Sequence, residues 1–330
     1  MKRWPFRQLP SSQLPDPDDP NWERALINSM AVEFLRDQRR GRRWGLFFKL
    51  AALAYVVVLL AVVYAGNLSE SVGAGKEHTA LVKVDGMIAS DSDASADKII
   101  TALRKAFKEE KAKGVILRIN SPGGSPVQSG YVNDEIRRLK NKYPDKPVYA
   151  VAVDACASGA YYIAVAADEI YVDKASLIGS IGVRIGSFGF SRAMEELGIE
   201  RRLLVAGEHK GILDPFAPLE PFDQEFIQRL LDGLHQQFID AVKEGRGDRL
   251  AQNDELFSGL FWTGAESVEL GLADGLGSSS FVARDLIGAE EIVTYSRKRD
   301  ILEKLTEQLG TSIASTWARL IGAEGMVSLR

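Results

Sequence analysis

The sequence contains few of the residues on which metal sites and histidine-based catalysis depend. Its 330 residues include one cysteine, Cys156, and three histidines, His78, His209 and His235, no two of which are close in sequence. An internal disulfide and a cysteine-based zinc site are therefore excluded. The chain also has few histidine and cysteine side chains from which a zinc-dependent or histidine-centred hydrolase could build its site. The net charge of −4 argues against nucleic acid as the main partner.

Charge is also missing from one long stretch of the chain. Residues 44–65 carry a single charged side chain, Lys49, and would span roughly 33 Å as a helix, enough for a bilayer core. Five arginines lie in residues 36–43, whereas the first cation after the run is Lys76. Since positive flanks stay inside, the N-terminus is predicted in the cytoplasm and the C-terminal bulk outside.

Two other interpretations of this run fit less well. A buried core helix would not need so long an apolar run or so basic a flank. A cleavable signal peptide would not carry 43 residues before a 22-residue apolar run. The sequence therefore predicts a single uncleaved transmembrane helix, which would make the lipid bilayer a partner of the chain.

The remaining segments divide around this helix. Residues 1–43 form a cytoplasmic tail with nine Lys/Arg and six Asp/Glu, a charge that suits an anionic inner leaflet. Residues 66–78, which include His78, are predicted to be a flexible linker. Residues 79–297 form the main domain, and residues 298–330 have apolar side chains at the spacing of an amphipathic helix.

The main domain alternates apolar strand-like runs with helical patterns. This alternation predicts one α/β domain with mostly parallel strands. Strands are predicted at 80–88, 114–120, 147–154, 169–173 and 200–206, and helices at 96–110, from about 125 to 141, at 158–167 and at 222–244.

Ser158 follows a fully apolar strand and precedes a helix of small residues. Free backbone N–H groups at a helix start favour developing negative charge, so the position suits a nucleophile with an oxyanion hole. The segment is not G-x-S-x-G, because Cys156 and Ala160 stand at the glycine positions, which disfavours an α/β-hydrolase elbow. A plain N-cap serine explains the same pattern.

A second small-residue turn, Ser-Pro-Gly-Gly-Ser at 121–125, follows another buried strand. Paired glycines allow close backbone approach, so this turn could supply a second oxyanion donor or be an ordinary strand–helix turn. None of the three histidines is well placed as a base. A lysine can act as one only where burial away from anions lowers its pKa by about three units, and spacing alone does not distinguish Lys210 from a surface lysine.

Four motifs in order carry a family resemblance. They are Ser-Pro-Gly-Gly at 121–124, Ala-Ser-Gly-Ala-Tyr-Tyr at 157–162, Ile-Gly-Ser-Ile-Gly-Val at 178–183 and Ala-Gly-Glu-His-Lys at 206–210. Together they resemble the S49 family of serine peptidases, the signal peptide peptidase A and SohB-like group, in its short single-domain form. The resemblance implies an α/β domain of the ClpP/crotonase-like superfold over residues 79–297, and the single N-terminal transmembrane helix fits it.

The resemblance also implies a Ser–Lys dyad without metal or cofactor. Ser158 would be the nucleophile, Lys210 the general base and Ser180 the residue that orients the lysine. Backbone N–H groups of Gly124 and Gly159 would form the oxyanion hole. His209 stands at a position that varies in the family and is given no role.

The implied protein is a membrane-anchored endopeptidase that hydrolyses remnant signal peptides or other unstructured hydrophobic peptides. It would be a homo-oligomeric ring in which serine and lysine pair within or between protomers. It would lie in a bacterial inner membrane with its catalytic domain on the periplasmic side, and would not bind nucleic acid.

Two alternatives remain. A crotonase-like enzyme acting on an acyl-CoA thioester shares the superfold, but an extracytoplasmic domain would lack that substrate. A catalytically silent scaffold in a membrane assembly would not need both Ser158 and Lys210. A Ser-x-x-Lys match at 95–98 is treated as chance, because no partner motifs follow it.

Overall fold

The computed structural model describes residues 24, 44, 46–58 and 76–296. The chain divides into two compact units, Met1–Val72 and Gly73–Arg330, which are described separately.

In the first unit, Trp44 and residues 46–58 are helical and their side chains are exposed. Within the described residues, no helix combines the length and apolar character needed to cross a bilayer. The other residues of the predicted 44–65 helix lie outside the described part of the chain. The same holds for the 1–43 tail apart from Arg24, for residues 66–75 of the linker and for the 298–330 segment.

The second unit is built on one mixed sheet of eight strands in the order β6-β5-β3-β2-β1-β8, with β4 on β3 and β7 on β4. Every pairing is parallel except that of β5 with β6, as the alternating pattern predicts. The strands are β1 (His78–Asp85), β2 (Ala112–Ser121), β3 (Val148–Ala157), β4 (Glu169–Val172), β5 (Leu177–Gly179), β6 (Phe261–Thr263), β7 (Gly275–Leu276) and β8 (Ile292–Thr294).

Helices pack on the sheet and connect its strands. They are α1 (Ala96–Lys108), α2 (Pro126–Lys142), α3 (Gly159–Ala164), α4 (Ser191–Glu196), α5 (Pro221–Arg246), α6 (Gly264–Glu269) and α7 (Ser279–Phe281). Helix α2 begins where it does because the Ser125 side chain accepts a hydrogen bond from the Gln128 N–H and a proline occupies the first turn.

The core lies on both faces of the sheet because strand side chains alternate. On β1, Val82 and Val84 face the larger apolar cluster, which includes residues of α1, α2 and α3, while Leu81 faces a smaller cluster around Val282. This double burial is typical of a parallel sheet covered on two sides.

Strand β3 changes partner along one of its edges. Tyr149–Val151 pair with β4, whereas Ala155–Ala157 pair with β5. The carboxyl end of β3 therefore lies between β2 and β5, and the residues that follow these three strands meet at one edge of the sheet.

The long helix α5 has two different halves. Its C-terminal half is held by buried Phe238 and Val242 and by Arg246, whose guanidinium lies 2.6 Å from the Asp274 carboxylate. Although burial acts to raise it, hydrogen bonding from Arg246 holds the pKa of the Asp274 carboxyl below its usual value. The N-terminal half of α5 leaves large apolar side chains exposed.

Two sequence predictions are wrong. The strand predicted at 200–206 is not formed, since its residues are exposed and pair with no strand in the described part of the chain. Its apolar pattern is typical of a strand, but a strand needs a neighbour for its backbone groups. His78 does not belong to a flexible linker, because it is buried in β1 and its Nε2 lies 2.8 Å from the Tyr295 hydroxyl.

Candidate active site

Ser158 lies in a tight turn between β3 and α3. Its backbone has φ 52° and ψ −126°, a conformation that costs a non-glycine residue about 1–3 kcal/mol. The turn is held on both sides, because the Ser158 N–H donates to Gly179 O at 2.8 Å and the Ser158 carbonyl accepts from Tyr162 N at 3.0 Å. A plain helix cap needs no such strain, so the backbone supports a functional role for this serine.

The glycine pair at 123–124 packs directly against this turn. Gly124 has φ +153°, and a methyl group there would lie 2.1 Å from Ile88 O. Gly123 has φ +96°, and a methyl group there would lie 2.7 Å from Gly159 N and 2.8 Å from Ser158 Cβ. Only glycines fit these positions, and their absent side chains let the two turns touch.

Two backbone N–H groups are free beside Ser158. Neither the Gly124 N–H nor the Gly159 N–H donates to an acceptor within the described residues. A Cβ atom built on Gly159 would lie 3.3 Å from Gly124 N, so the two residues are neighbours. Paired donors of this kind stabilise an oxygen that becomes negative during acyl transfer.

Ser180 follows β5, next to the Ser158 turn. It also has a positive φ of 52°, and its N–H donates to Leu260 O at 2.7 Å. The preceding residue, Gly179, accepts the hydrogen bond from the Ser158 N–H. The structure therefore brings together Ser158, Ser180, Gly124 and Gly159, four of the five predicted site residues.

Lys210 is the fifth predicted residue, and no hydrogen bond or ion pair in the described part of the chain joins its side chain to the other four. It lies on an exposed segment, residues 182–220, which we call the arm. The Lys210 side chain is exposed and makes no hydrogen bond or ion pair with Ser158 or Ser180 in the described chain. The adjacent His209 ring stacks on Phe222, with centroids 4.3 Å apart.

The arm carries ten large apolar side chains that are exposed. Leu204 is 96% exposed and Phe188 79%. Eight other arm residues are large, apolar and exposed: Ile185, Phe190, Leu197, Ile199, Leu203, Val205, Phe216 and Leu219. The exposed apolar surface continues onto α5 as a stripe of side chains spaced four residues apart. The stripe consists of Phe222, Phe226, Leu230 and Leu234.

Two buried residues, Cys156 and Ser129, lie near Ser158. Burial raises the pKa of the Cys156 thiol far above its usual value, so this cysteine is an inert filler two residues before Ser158. Ser129 of α2 lies behind Gly159 and is completely buried. Sequence reasoning missed Ser129, because no local motif marks it and only the packing of α2 against α3 brings it to the site.

The model of peptidase family S49 matches residues 140–291. A Synechocystis protein named provisionally as a protease is 30% identical over 254 residues, covering 75% of this chain and 88% of that protein. The chain belongs to peptidase family S49. The resemblance carried by the four motifs is thereby confirmed.

Other relatives of this S49 chain are longer proteins. Protease 4 of Haemophilus influenzae is 32% identical over 203 residues, covering 60% of this chain and 32% of that protein. A Brucella melitensis protein named as the Na(+)/H(+) antiporter NhaA is 46% identical over 222 residues, covering 67% of this chain. The chain spans 30% of that protein's length. The region similar to this chain is therefore under a third of the protein that carries the antiporter name.

Proposed function

We propose that the chain is a serine endopeptidase in which Ser158 is the nucleophile and Lys210 the general base. The observation that carries the proposal is the strained Ser158 turn with two free N–H groups, of Gly124 and Gly159, beside it. We further propose the ClpP/crotonase-like superfold for the α/β domain, which the mainly parallel sheet supports.

The proposed reaction is acyl transfer through an ester. The Ser158 Oγ attacks the carbonyl carbon of the peptide bond, its proton passes to the Lys210 amine, and the carbonyl oxygen becomes negative beside the Gly124 and Gly159 N–H groups. The lysine then protonates the leaving amine. Water, deprotonated by the same lysine, then attacks the ester carbonyl, and the lysine returns the proton to the departing Ser158 Oγ as the acid is released. The proposed cycle uses no metal or cofactor. Ser180 would accept from or donate to the lysine and orient it.

We propose that the lysine acts on the serine of a neighbouring copy in a homo-oligomeric ring. Two features support pairing between protomers. Lys210 is exposed and lies on a segment with little packing of its own, while Ser158 lies in a rigid turn. The apolar side chains of the arm and of the α5 stripe form an exposed surface of a kind that monomers rarely leave uncovered.

We propose that residues 44–65 anchor this ring in a bacterial inner membrane, with the catalytic domain outside the cytoplasm. The arginines at 36–43 and the apolar, helical residues 46–58 support this orientation. Such a site would lie where membrane-bound signal peptides are released, and we propose these remnants and other unstructured hydrophobic peptides as substrates.

The central test uses the full-length chain, detergent-solubilised, with an unstructured hydrophobic fluorogenic peptide. Ser158→Ala and Lys210→Ala are each expected to lower kcat/KM at least about 1,000-fold, because each removes one half of a cooperating pair. Thermal unfolding and the oligomer size should not change, since neither side chain packs in the core. Lys174→Ala, which removes an exposed lysine elsewhere on the unit, is the control and should keep full activity. Normal turnover in either dyad variant would refute the assignment.

Mixing tests whether the dyad is shared. The inactive Ser158→Ala and Lys210→Ala chains are dissociated together and reassembled, so that some neighbouring pairs combine an intact serine with an intact lysine. Activity should reappear in the mixture and in neither variant alone. A mixture that assembles but stays inactive would place both residues in one protomer.

The catalytically silent scaffold is the second candidate function, and the exposure of Lys210 is the observation in its favour. Labelling distinguishes the two, because a fluorophosphonate reacts with an activated serine and not with a silent one. Wild-type protein that neither incorporates the probe at Ser158 nor cleaves peptide would favour the scaffold.

The orientation has its own test. A reporter enzyme that is active only outside the cytoplasm, fused after Arg330, is expected to be active. A reporter that works only in the cytoplasm would reverse the proposed topology.

A further inference from the structure

Ser129 carries a buried hydroxyl that forms no hydrogen bond. The residue is 1% exposed, and its Oγ has no partner among the residues that the structure describes. Its backbone is fixed in the first turns of α2, where the Ser129 N–H donates to Ser125 O at 3.0 Å. An unpaired buried hydroxyl costs stability, whereas an alanine of similar shape would avoid that cost. The serine therefore calls for an explanation other than stability.

The position of this hydroxyl points to one. A methyl group built on Gly159 would lie 2.4 Å from Ser129 Oγ and 3.3 Å from Gly124 N. The oxygen thus fills the space beside the Gly159 Cα, on the side where the Gly124 amide also lies. Gly159 and Gly124 lie beside Ser158, and their N–H groups have no acceptor among the residues that the structure describes.

We propose that Ser129 is a positioning residue for the oxyanion hole, an inference that rests on the proposed function. Its oxygen packs against Gly159 and prevents this peptide from rotating, so the Gly159 N–H stays beside the Gly124 N–H. Ser129 Oγ is closed off from solvent and does not touch the substrate. Donors fixed before the reaction need no reorganisation when the carbonyl oxygen becomes negative, and this is where such sites gain their effect.

The packing of α2 explains how the chain fixes this contact. Ser129, Val132 and Ile136 are buried on α2 at helical spacing, on the side that packs against the core. The Asn133 side chain donates to Tyr162 O at 2.6 Å and so ties α2 to α3. The hydroxyl is thus held against Gly159 by two helices rather than by a loop.

The test compares Ser129→Ala with Ser267→Ala in the full-length oligomer. Ser267 is an equally buried serine on α6, but its hydroxyl has a partner, Gly264 O at 2.7 Å. Four quantities are measured with the fluorogenic peptide and a peptide aldehyde, which forms a transition-state-like adduct with the serine: kcat, KM, the aldehyde inhibition constant and Tm.

Ser129→Ala is expected to lower kcat about 10-fold, less than the loss caused by removing a direct oxyanion donor. KM should stay within about two-fold, while the aldehyde should bind about 10-fold more weakly, because only transition-state stabilisation is affected. Its Tm should be equal to or above that of the wild type. Ser267→Ala should show the reverse, a lower Tm with unchanged kcat and inhibition.

Three outcomes would overturn the inference. The first is unchanged kcat and aldehyde affinity in Ser129→Ala, and the second is a Tm that falls together with kcat in that variant. The third is a Ser129→Thr variant that loses as much kcat and aldehyde affinity as Ser129→Ala. The threonine keeps the hydroxyl and should therefore retain more activity than the alanine, and it serves as the second variant if Ser129→Ala does not fold. Fluorophosphonate labelling of wild-type Ser158 separates the two proposals. If the wild type is labelled and cleaves peptide, and Ser129→Ala does so equally well, only the role of Ser129 is refuted. If the wild type is neither labelled nor active, the proposed function is refuted.

Discussion

The sheet edge and the arm are built in opposite ways, although each contributes one half of the proposed dyad. At the sheet edge, backbone hydrogen bonds hold Ser158 and Ser180, and the glycine turn packs so closely that a methyl group on Gly123 or Gly124 would lie under 3 Å from backbone atoms. In the arm, Lys210 and Leu204 are exposed. One chain therefore holds the proposed nucleophile and oxyanion hole in a defined geometry, whereas the proposed base is exposed. The difference is what we would expect if, as proposed, assembly of several copies completes the site.

The largest expected effect tests the close packing of the glycine turn at the sheet edge. Gly124→Ala should lower kcat about 100-fold or more, because its methyl group would lie 2.1 Å from Ile88 O and would displace an oxyanion donor. The control is Gly130→Ala on α2, where a methyl group meets nothing within 4 Å. This helical alanine should raise the free energy of unfolding by about 0.5–1 kcal/mol and leave kcat unchanged. Equal activity in the two variants would mean that the Gly124 amide does not stabilise the transition state.

The second effect tests the arm. Leu204→Glu should shift the protein to smaller species in light scattering and lower kcat/KM at least about 10-fold, since a charge would enter an apolar contact between copies. Tm of the dissociated chain should hardly change, because Leu204 is 96% exposed within one chain. Leu276→Glu, at a half-exposed position on β7, should keep both size and activity. An oligomer that Leu204→Glu leaves intact would show that the arm is not the contact surface.

The smallest effect concerns the stability of the sheet region alone. Hydrogen bonding from Arg138 and Arg104 lowers the pKa of Glu135 from 4.5 to about 2. Its carboxylate therefore stabilises the folded state fully above pH 4.5, and this contribution is lost as the pH falls through about 2. Since both arginines are largely exposed, Glu135→Gln should cost about 1 kcal/mol or less at pH 7. The difference in Tm between variant and wild type should shrink as the pH falls towards 2. A constant difference would mean that the ion pair contributes nothing.

The same contrast decides how far the sequence could predict the structure. Strands and helices between β1 and β4 were predictable within a few residues, because their apolar patterns are satisfied by neighbours within the same chain. The 200–206 segment also contains an apolar run, at 203–206, but no strand of the described chain pairs with it. A local apolar pattern indicates that a segment needs a packing partner, but it does not indicate where that partner lies.

The site shows a similar limit. The motifs predicted five site residues, and the structure brings four of them to one edge of the sheet. The positive φ of Ser158 and Ser180 could not be predicted, since it is imposed by hydrogen bonds to Gly179 and Leu260 from distant parts of the chain. Ser129 was out of reach for the same reason, because its importance comes from a contact between two helices.

Cys156 has a practical consequence. The chain has no other cysteine, and this thiol is buried with its pKa raised, so alkylating reagents meet a chemically silent background. A cysteine placed anywhere on the arm would be the one reactive thiol in the protein. A spin label or fluorophore attached there would test the proposed contact between copies without any need to remove a native thiol first.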